Sequence, residues 1–268
     1  MRVVAVFTKY ETWKIKNKYP PVESEKMVGE WLQYLSANKD SLFSELLRVK
    51  YYAQCTKDGD PTGVYALIQE FGSKPDYFNH KEKLELCAVS DGRECSSFID
   101  YIRLDPHSRA IPGTIERVFL LHEKSDIWFD YTSSKLETEK KNGVSLRRFL
   151  EYETWRVDPA ASQEGYENMI ETWFKYVAEN KEQLFKEWVS AGYYAQSNAN
   201  GVKNGVYVML FEYDCIEGHH AYKSRKLYSY AMNDGIYATY AKNDPYQFFD
   251  PASVNIDCMQ PLLPELWI

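Results

Sequence analysis

The chain contains one segment twice: residues 10–71 recur as residues 152–213 at a constant offset of 142. Of the 62 aligned pairs, 22 are identical without a gap, which chance does not produce. A Tyr-Glu-Thr-Trp run at 10–13 recurs at 152–155, and a Tyr-Tyr-Ala-Gln run at 51–54 recurs at 193–196. Because an internal repeat means that one structural unit is used twice, it constrains the architecture before any local pattern does.

The repeat continues beyond residue 71 with a change of offset. Asp105-Pro106 matches Asp250-Pro251 at an offset of 145, which predicts that the second copy has gained three residues between about 84 and 100. We therefore predict a first repeat at residues 1–122, a charged linker at 123–146 and a second repeat at 147–268. Each repeat is long enough to form a core of its own.

Composition narrows the class of partner. The net charge of −7 and the pI near 5.4 argue against binding to a nucleic-acid backbone, which depends on clustered Lys and Arg. No apolar run reaches the ~18–20 residues of a membrane span, and the first residues alternate like a strand rather than like a signal peptide. The five cysteines are odd in number and form no Cys-x-x-Cys pair, so we expect reduced thiols in a cytoplasmic protein.

Hydrophobic spacing predicts the same four strands and two helices in each copy. Residues 3–15 alternate and are rich in β-branched and aromatic side chains, as their copy at 149–157 is, which is typical of a strand. A helical spacing of 4, 3, 4 and 4 follows, carried in the first copy by Met27, Trp31, Tyr34, Asn38 and Leu42. Asn38 and its copy Asn180 interrupt this stripe and predict a break followed by a short turn. The first copy is completed by strands at 50–55, 62–71 and 114–122 and a helix at 76–89.

The order β-α-β-β-α-β, used twice, predicts an α+β protein of two tandem ferredoxin-like repeats. Each four-stranded sheet has one bare face with large side chains, and the two copies can cover each other within one chain. The run from Tyr152 to Pro159, the helix of Trp173 and, more weakly, residues 10–14 with Trp31 resemble the dimeric α+β-barrel superfamily, which includes antibiotic-biosynthesis-monooxygenase-like and NIPSNAP-like domains. We therefore expect an intramolecular barrel, as a pseudo-twofold monomer or a homodimer.

The resemblance implies a cavity, between sheet and helices or inside the barrel, that binds an aromatic small molecule or haem. Four glutamates alternate with apolar strand residues and are candidate general acids or bases: Glu11, Glu70, Glu153 and Glu212. Burial would raise the pKa of such a carboxyl group toward neutrality. The alternative is a structural role, at a strand end or in a pair with Lys14 or Arg156. Glu153 is our first candidate for a catalytic base.

The second repeat supplies most of the predicted ligand pocket. Its tyrosines combine apolar faces with hydroxyl groups, which suits aromatic ligands. The predicted pocket residues are Trp155, Trp173, Tyr176, Tyr194, Gln196 and Tyr222, with Tyr228, Tyr230, Tyr237 and Tyr240 nearby. We expect this pocket to be the better small-molecule site of the two repeats, although an aromatic stripe is also what a helix packed into a core requires.

Histidines offer the alternative cofactor chemistry. His80 on the second helix of the first repeat, or His219 or His220 on the equivalent helix, can serve as a haem ligand in this fold, but no metal-binding spacing is present. We expect no cofactor, with haem as the alternative. The sequence favours a small-molecule-binding protein, and in sharper form a cofactor-independent enzyme, monooxygenase- or isomerase-like, with an aromatic or polyketide-like substrate. The alternatives are a haem protein and a non-catalytic ligand-binding or assembly protein.

Overall fold

The computed structural model describes residues 6–89, 96–123, 129–130, 148–231 and 239–268. The predicted linker at 123–146 lies outside the described residues except for Glu123 and a two-residue strand, and so do Tyr237 and the start of the first predicted strand. No helix within these ranges is both long and apolar enough to cross a lipid bilayer.

The first repeat consists of four strands and three helices. They are β1 (Phe7–Lys14), α1 (Pro21–Leu42), β2 (Leu46–Cys55), β3 (Pro61–Phe71), α2 (Lys74–Val89), α3 (Ser96–Leu104) and β4 (Glu116–His122). The helix α1 begins at two prolines, where a missing N–H costs nothing. It continues through Asn38 without the predicted break, and the side-chain amide of Asn38 donates to the carbonyl of Tyr34 at 2.9 Å.

The second repeat follows the two-residue strand β5 (Phe129–Asp130) and has the same order. It consists of β6 (Phe149–Trp155), α4 (Gln163–Glu179), α5 (Lys181–Leu184), β7 (Trp188–Ser197), β8 (Lys203–Tyr213), α6 (Ile216–Ala231), α7 (Tyr240–Asn243) and β9 (Asn255–Pro261). The side chain of Ser162 caps the start of α4. Here the predicted break is confirmed, since α4 ends at Asn180 and the short α5 follows.

The strands form one antiparallel sheet in the order β4-β1-β3-β2-β9-β6-β8-β7, and a further pairing of β4 with β7 closes it. Each half has the ferredoxin-like order, and the two seams, β2–β9 and β4–β7, are equivalent, because each joins the second strand of one copy to the last strand of the other. The predicted α+β fold is therefore confirmed: the repeats form an eight-stranded barrel within one chain, with a pseudo-twofold axis along it. The strand β5 extends the pairing on β7.

Alternation along the strands separates three apolar cores. One core lies on the helix side of each half-sheet, and a third fills the barrel. In the barrel Tyr10 and Tyr152, equivalent residues of the two copies, stack with ring centroids 4.3 Å apart. At one end the chain terminus closes the barrel, because Trp267 packs on Tyr52 at 5.0 Å. The other end, beyond the two stacked tyrosines, is open.

The register of the strands corrects the predicted offset in the last third of the repeat. Thr12 pairs with Glu116, and the equivalent Thr154 pairs with Asn255, so the final strands are related by 139 and not by 145. The second copy has therefore lost three residues. Asp105 corresponds to Asp244, and each caps the short 3-10 helix that follows it. The motif match was wrong because two Asp-Pro pairs, Asp244-Pro245 and Asp250-Pro251, precede the last strand of the second copy.

A core formed by both repeats predicts that a barrel residue of one copy stabilises the whole chain. Met259 on β9 is fully buried and accepts a hydrogen bond from the Tyr10 hydroxyl at 3.7 Å. We expect Met259→Ala to lower the free energy of unfolding by about 2–5 kcal/mol in one cooperative transition. The control is Ile256→Ala on the same strand, 43% exposed, with a cost below about 1 kcal/mol. Equal effects, or two separate transitions in urea, would contradict a shared core.

Candidate functional site

Glu153 lies in a buried polar cluster between the sheet and the helices of the second repeat. It is 2% exposed, on the face of β6 that turns toward α6. The hydroxyl of Tyr246 donates a hydrogen bond to its carboxylate. Tyr246 is positioned by the 3-10 turn that begins after Asp244, whose carboxylate accepts the backbone N–H of Tyr246 at 3.0 Å. The predicted inward orientation of Glu153 is therefore what the fold produces.

The surroundings of Glu153 make its charged form costly. Burial raises the pKa of Glu153 to about 7, and the nearby carboxylate of Glu151 acts in the same direction. Lys226 and Lys223 oppose the shift, but each is paired with another carboxylate: Lys226 Nζ is 3.2 Å from Asp244, and Lys223 Nζ is 2.8 Å from Glu151. A carboxyl group that titrates near neutral pH can both accept and return a proton.

Glu151 lies two residues before Glu153 on the same face of β6, but its neighbours favour its charged form. His219 Nε2 lies 2.8 Å from one of its oxygens, and Lys223 Nζ lies 2.8 Å from the other. Although burial disfavours its charge, His219 and Lys223 hold the pKa of Glu151 below its usual range. Of the two neighbouring carboxyl groups, Glu151 therefore carries the charge and Glu153 the proton that can be exchanged near pH 7.

Three potential metal ligands lie next to this pair, but their present contacts do not suit a metal ion. The donor atoms of Glu151, His219 and Cys258 lie within 4.8 Å of one another, and these are ligand types that zinc accepts. However, Lys223 already bonds to Glu151, and His219 Nε2 is engaged by the same carboxylate. Burial and the charge of Glu151 raise the pKa of Cys258 to about 12, which keeps the thiol protonated. We assign no metal to these residues.

A small cavity of about 20 Å³ adjoins the Glu153 carboxylate, which is room for about one water. Its wall is largely aromatic and includes Trp155, Trp173, Phe211, Tyr222 and Phe249, with Lys226 and Asp244 as its other charged groups. The ring of Tyr246 fills the remaining space over the carboxylate. The cavity is therefore too small for a planar ligand while Tyr246 stays in this position.

The equivalent glutamate of the first repeat, Glu11, has a different set of neighbours. It is fully buried, but Lys9 lies 2.6 Å away and Arg117 Nε donates to it. Burial alone would raise its pKa, yet Lys9, His107 and Arg117 together hold the pKa of Glu11 below its usual range. At the equivalent positions the second repeat has Glu151, Tyr246 and Ile256 in place of these cations. The two copies thus keep one carboxylate and differ in whether it is neutralised.

Glu70 and Glu212, the other two candidates, lie together at the closed end of the barrel. Glu70 is 3.6 Å from Arg48. Glu212 accepts a hydrogen bond from Ser190 at 3.2 Å and lies 4.0 Å from Lys50. These contacts match the structural alternative given for strand glutamates, in which the charge is held by partners at a strand end.

The residues predicted to form one ligand pocket are divided among four places. Trp155, Trp173 and Tyr222 line the small cavity beside Glu153. Tyr176 packs in the core, Tyr194 lines a void of about 40 Å³ at the closed barrel end, and Gln196 lines a larger cavity at the open end. Tyr228 and Tyr230 are 48% and 46% exposed. Among the described residues, the cavity of the second repeat beside Glu153 is small, and the better small-molecule site expected in this repeat stays a prediction.

Sequence reasoning missed three residues that surround Glu153: Glu151, Lys226 and Tyr246. The alternation that placed Glu153 inward also places Glu151 inward, so that signal was present. Lys226 on α6 shows no pattern of its own. Tyr246 was hidden by the wrong Asp-Pro alignment, which paired it with Tyr101 instead of His107.

His80 does not open on a space that fits haem. Its ring is 4% exposed and packs against the rings of Phe43, Phe71 and Tyr101 at centroid distances of 5.9, 5.4 and 6.2 Å. Burial, with a contribution from Lys9, lowers the pKa of His80 to about 4, so the imidazole is neutral. An iron could approach its nitrogens only after these aromatic rings had moved.

The two histidines of the second repeat are engaged in other contacts. His219 bonds to Glu151 and lies between the rings of Phe149 and Tyr213. His220 Nε2 lies 2.7 Å from the backbone carbonyl of Lys57 at the surface. As arranged, the three predicted haem ligands therefore do not fit a haem iron.

Comparison with solved structures identifies the architecture. A "putative monooxygenase" from Lactobacillus acidophilus superposes with a TM-score of 0.53 at 10% identity, covering 96% of this chain and 94% of that chain. An anthrone oxidase-like protein gives 0.52 at 8% identity, with 97% and 92% covered. A mutant chlorite dismutase from Candidatus Nitrospira defluvii gives 0.51 at 13% identity, with 97% and 94% covered. The chain has the dimeric α+β-barrel fold.

The structural similarity to these barrels extends over nearly all of the chain, but at such low sequence identity it shows only the fold. No known sequence family and no curated protein matches the chain. The chemistry therefore has to be argued from the residues of this barrel themselves.

The raised pKa of Glu153 predicts a pH dependence of stability with a definite sign. Since its folded pKa of about 7 exceeds the ordinary 4.5, the contribution to stability is complete below pH 4.5 and is lost as pH rises through 7. The side chain of Glu153→Gln is neutral at every pH. We expect the free energy of unfolding of this variant at pH 8 to exceed that of the parent by up to roughly 3 kcal/mol. Urea titrations between pH 5 and pH 8 measure the difference.

The matched control is Glu11→Gln at the equivalent position of the first repeat. The pKa of Glu11 is lowered, so its charge stabilises the fold at neutral pH, and its removal leaves Lys9 and Arg117 without their shared carboxylate. This variant should be less stable than the parent at pH 8. Destabilisation by both substitutions would show that Glu153 is an ordinary paired carboxylate.

Proposed function

We propose that the chain binds a small aromatic molecule and acts as a cofactor-independent enzyme that removes a proton from it, with Glu153 as the base. The observation that carries this proposal is the environment of the buried Glu153 carboxyl group. It lies against an aromatic wall, accepts a hydrogen bond from the phenol of Tyr246, and has no cation paired with it alone. A titration midpoint near neutrality supports the assignment, because such a group has the proton affinity that a general base needs.

The phenol of Tyr246 indicates the class of substrate. It places an aromatic hydroxyl on the Glu153 carboxylate and thereby occupies the position of a phenolic or enolic substrate. If the Tyr246 side chain turns outward, the vacated volume and the adjoining cavity form a slot between Trp155 and Tyr222. Anthrone, the compound in the name of the anthrone oxidase-like protein that shares this fold, is aromatic and enolisable and is therefore a suitable probe.

The proposed step is a proton transfer without change of oxidation state. A C–H or O–H bond of the substrate breaks, its proton passes to a Glu153 oxygen, and the electron pair remains on the substrate as an enolate or phenolate. Lys226, which is paired with Asp244 at 3.2 Å, lies beside the slot: its Nζ is 3.8 Å from the Tyr246 ring centroid. An ammonium group beside the slot stabilises the negative charge that develops on the substrate. Return of the proton to another atom completes an isomerisation.

Hydrogen–deuterium exchange at the enolisable carbon of anthrone tests the step directly. We expect the protein to accelerate the exchange in D2O, followed by NMR, and Glu153→Gln to reduce the acceleration by roughly 100-fold or more. Glu11→Gln should retain the acceleration, provided that it remains folded at the temperature of the assay. Undiminished exchange in Glu153→Gln would contradict the assignment of the base. Binding of anthrone without any exchange would favour a non-catalytic ligand-binding protein.

Removal of the Tyr246 ring tests the slot independently of turnover. Tyr246→Ala should create an aromatic-lined cavity that binds 4-methylphenol, since cavities of this kind accept apolar ligands of matching size. We expect 4-methylphenol to raise the melting temperature of Tyr246→Ala and to leave the parent unchanged. His107→Ala is the matched control, because the equivalent position of the first repeat is surrounded by Lys9 and Arg117. Equal effects in both variants would contradict a specific slot.

A further inference from the structure

A second cavity lies on the other side of the sheet from Glu153, inside the open end of the barrel. It has a volume of about 570 Å³, within the range of roughly 300–1,000 Å³ that small-molecule sites occupy. Both repeats line it, so it surrounds the pseudo-twofold axis. On β6 the alternation that turns Glu153 toward the helices turns Tyr152 and Thr154 into this cavity.

The floor of the cavity is a symmetric polar and aromatic platform. The stacked rings of Tyr10 and Tyr152 form it, and the equivalent amides of Gln54 and Gln196 line the cavity beside them. Gln196 Nε2 donates to the Tyr152 hydroxyl at 2.9 Å. The oxygen and amide groups at this depth offer hydrogen bonds to a ligand that enters from the open end.

The wall carries two carboxylates from equivalent strands. Glu116 on β4 pairs with Thr12, and Asp257 on β9 pairs with Tyr152, so both share the cavity-facing side of their strands. Burial raises the pKa of Asp257, and the charge of Glu116 acts in the same direction. Among the described residues, Asp257 bonds to the amide of Asn255 at 3.2 Å, and neither carboxylate forms an ion pair.

The cations nearby do not neutralise this wall. Arg117 lines the cavity but is bonded through its guanidinium to Glu11 on the other face of the sheet. Lys14 is exposed at the rim and lies within 4 Å of no described carboxylate. The cavity is therefore lined by two carboxylates that form no ion pair among the described residues, by Lys14 at its rim and by Arg117, whose guanidinium is engaged by Glu11, in a chain with a net charge of −7.

We propose that the open end of the barrel binds a small polar amine, with its ammonium groups at Asp257 and Glu116 and its remaining polar atoms at Gln54 and Gln196. An ammonium group at each carboxylate forms a charge-assisted hydrogen bond with it and offsets its negative charge. This site is separate from the Glu153 slot and does not depend on it.

Titration calorimetry of the full chain with 1,4-diaminobutane and 1,4-butanediol tests the proposal, because the two probes differ in charge and scarcely in shape. We expect the diamine to bind, more weakly as salt increases, and the diol to give no heat of binding. Asp257→Asn and Glu116→Gln should each weaken diamine binding about tenfold or more, which is about 1.4 kcal/mol. Both substitutions keep the shape of the side chain.

Two control variants separate this site from others. Glu70→Gln removes a carboxylate at the closed end of the barrel and should leave diamine affinity unchanged, and so should Glu153→Gln. The proposal is overturned if the diol binds as well as the diamine, if the diamine does not bind, or if Asp257→Asn keeps the parent affinity while its near-ultraviolet circular dichroism remains that of the parent.

Discussion

Closure of the barrel through the β2–β9 and β4–β7 seams is the constraint on which the rest of the structure depends. A single four-stranded half-sheet has two free edges and one uncovered apolar face, each of which is costly in water. Two copies in one chain satisfy both edges with backbone hydrogen bonds and cover both faces with one shared core. Because the Tyr10 and Tyr152 rings stack at the centre of that core, the copies are held in one relative orientation.

Closure also gives the two faces of each strand different surroundings. On β6, odd-numbered residues turn toward the helices and even-numbered residues turn into the barrel. Glu151 and Glu153 therefore belong to a buried site under α6, whereas Tyr152 and Thr154 belong to the cavity at the open end. One strand therefore lines two cavities that share no side chain.

The duplication also provides an internal comparison of one carboxylate in two environments. Glu11 and Glu153 occupy equivalent positions and are both buried, yet the pKa of Glu11 is lowered and that of Glu153 is raised. The backbone and the desolvation are alike, so the difference arises from the neighbours. In the first copy Lys9 contacts the carboxylate, and in the second copy its position is Glu151. Together with Tyr246 and Ile256 in place of His107 and Arg117, this change of charge accompanies the change from a lowered to a raised pKa.

Sequence patterns predicted what depends on a residue's own strand or helix. The period of two placed Glu11 and Glu153 inside, and the repeat predicted two equal halves. The patterns did not predict contacts across elements, because these depend on where a turn ends in space. Tyr246 reaches Glu153 only through the turn after Asp244, and a competing Asp-Pro pair concealed the correct alignment. Cavity volumes were unpredictable for the same reason, since packing decides whether aromatic side chains line a pocket or fill it.

The proposed role of Glu153 as a base depends on its protonation near neutral pH. Carbon-13 NMR of glutamate-labelled protein measures this protonation without a substrate. The carboxyl resonances are followed from pH 3 to pH 9 in the parent, in Glu153→Gln and in Glu11→Gln. The structure predicts one carboxyl group with a midpoint near 7 that is absent from Glu153→Gln and present in Glu11→Gln. If the resonance lost in Glu153→Gln titrates below about 5, as an ordinary glutamate does, Glu153 is a structural carboxylate and the proposed base is wrong.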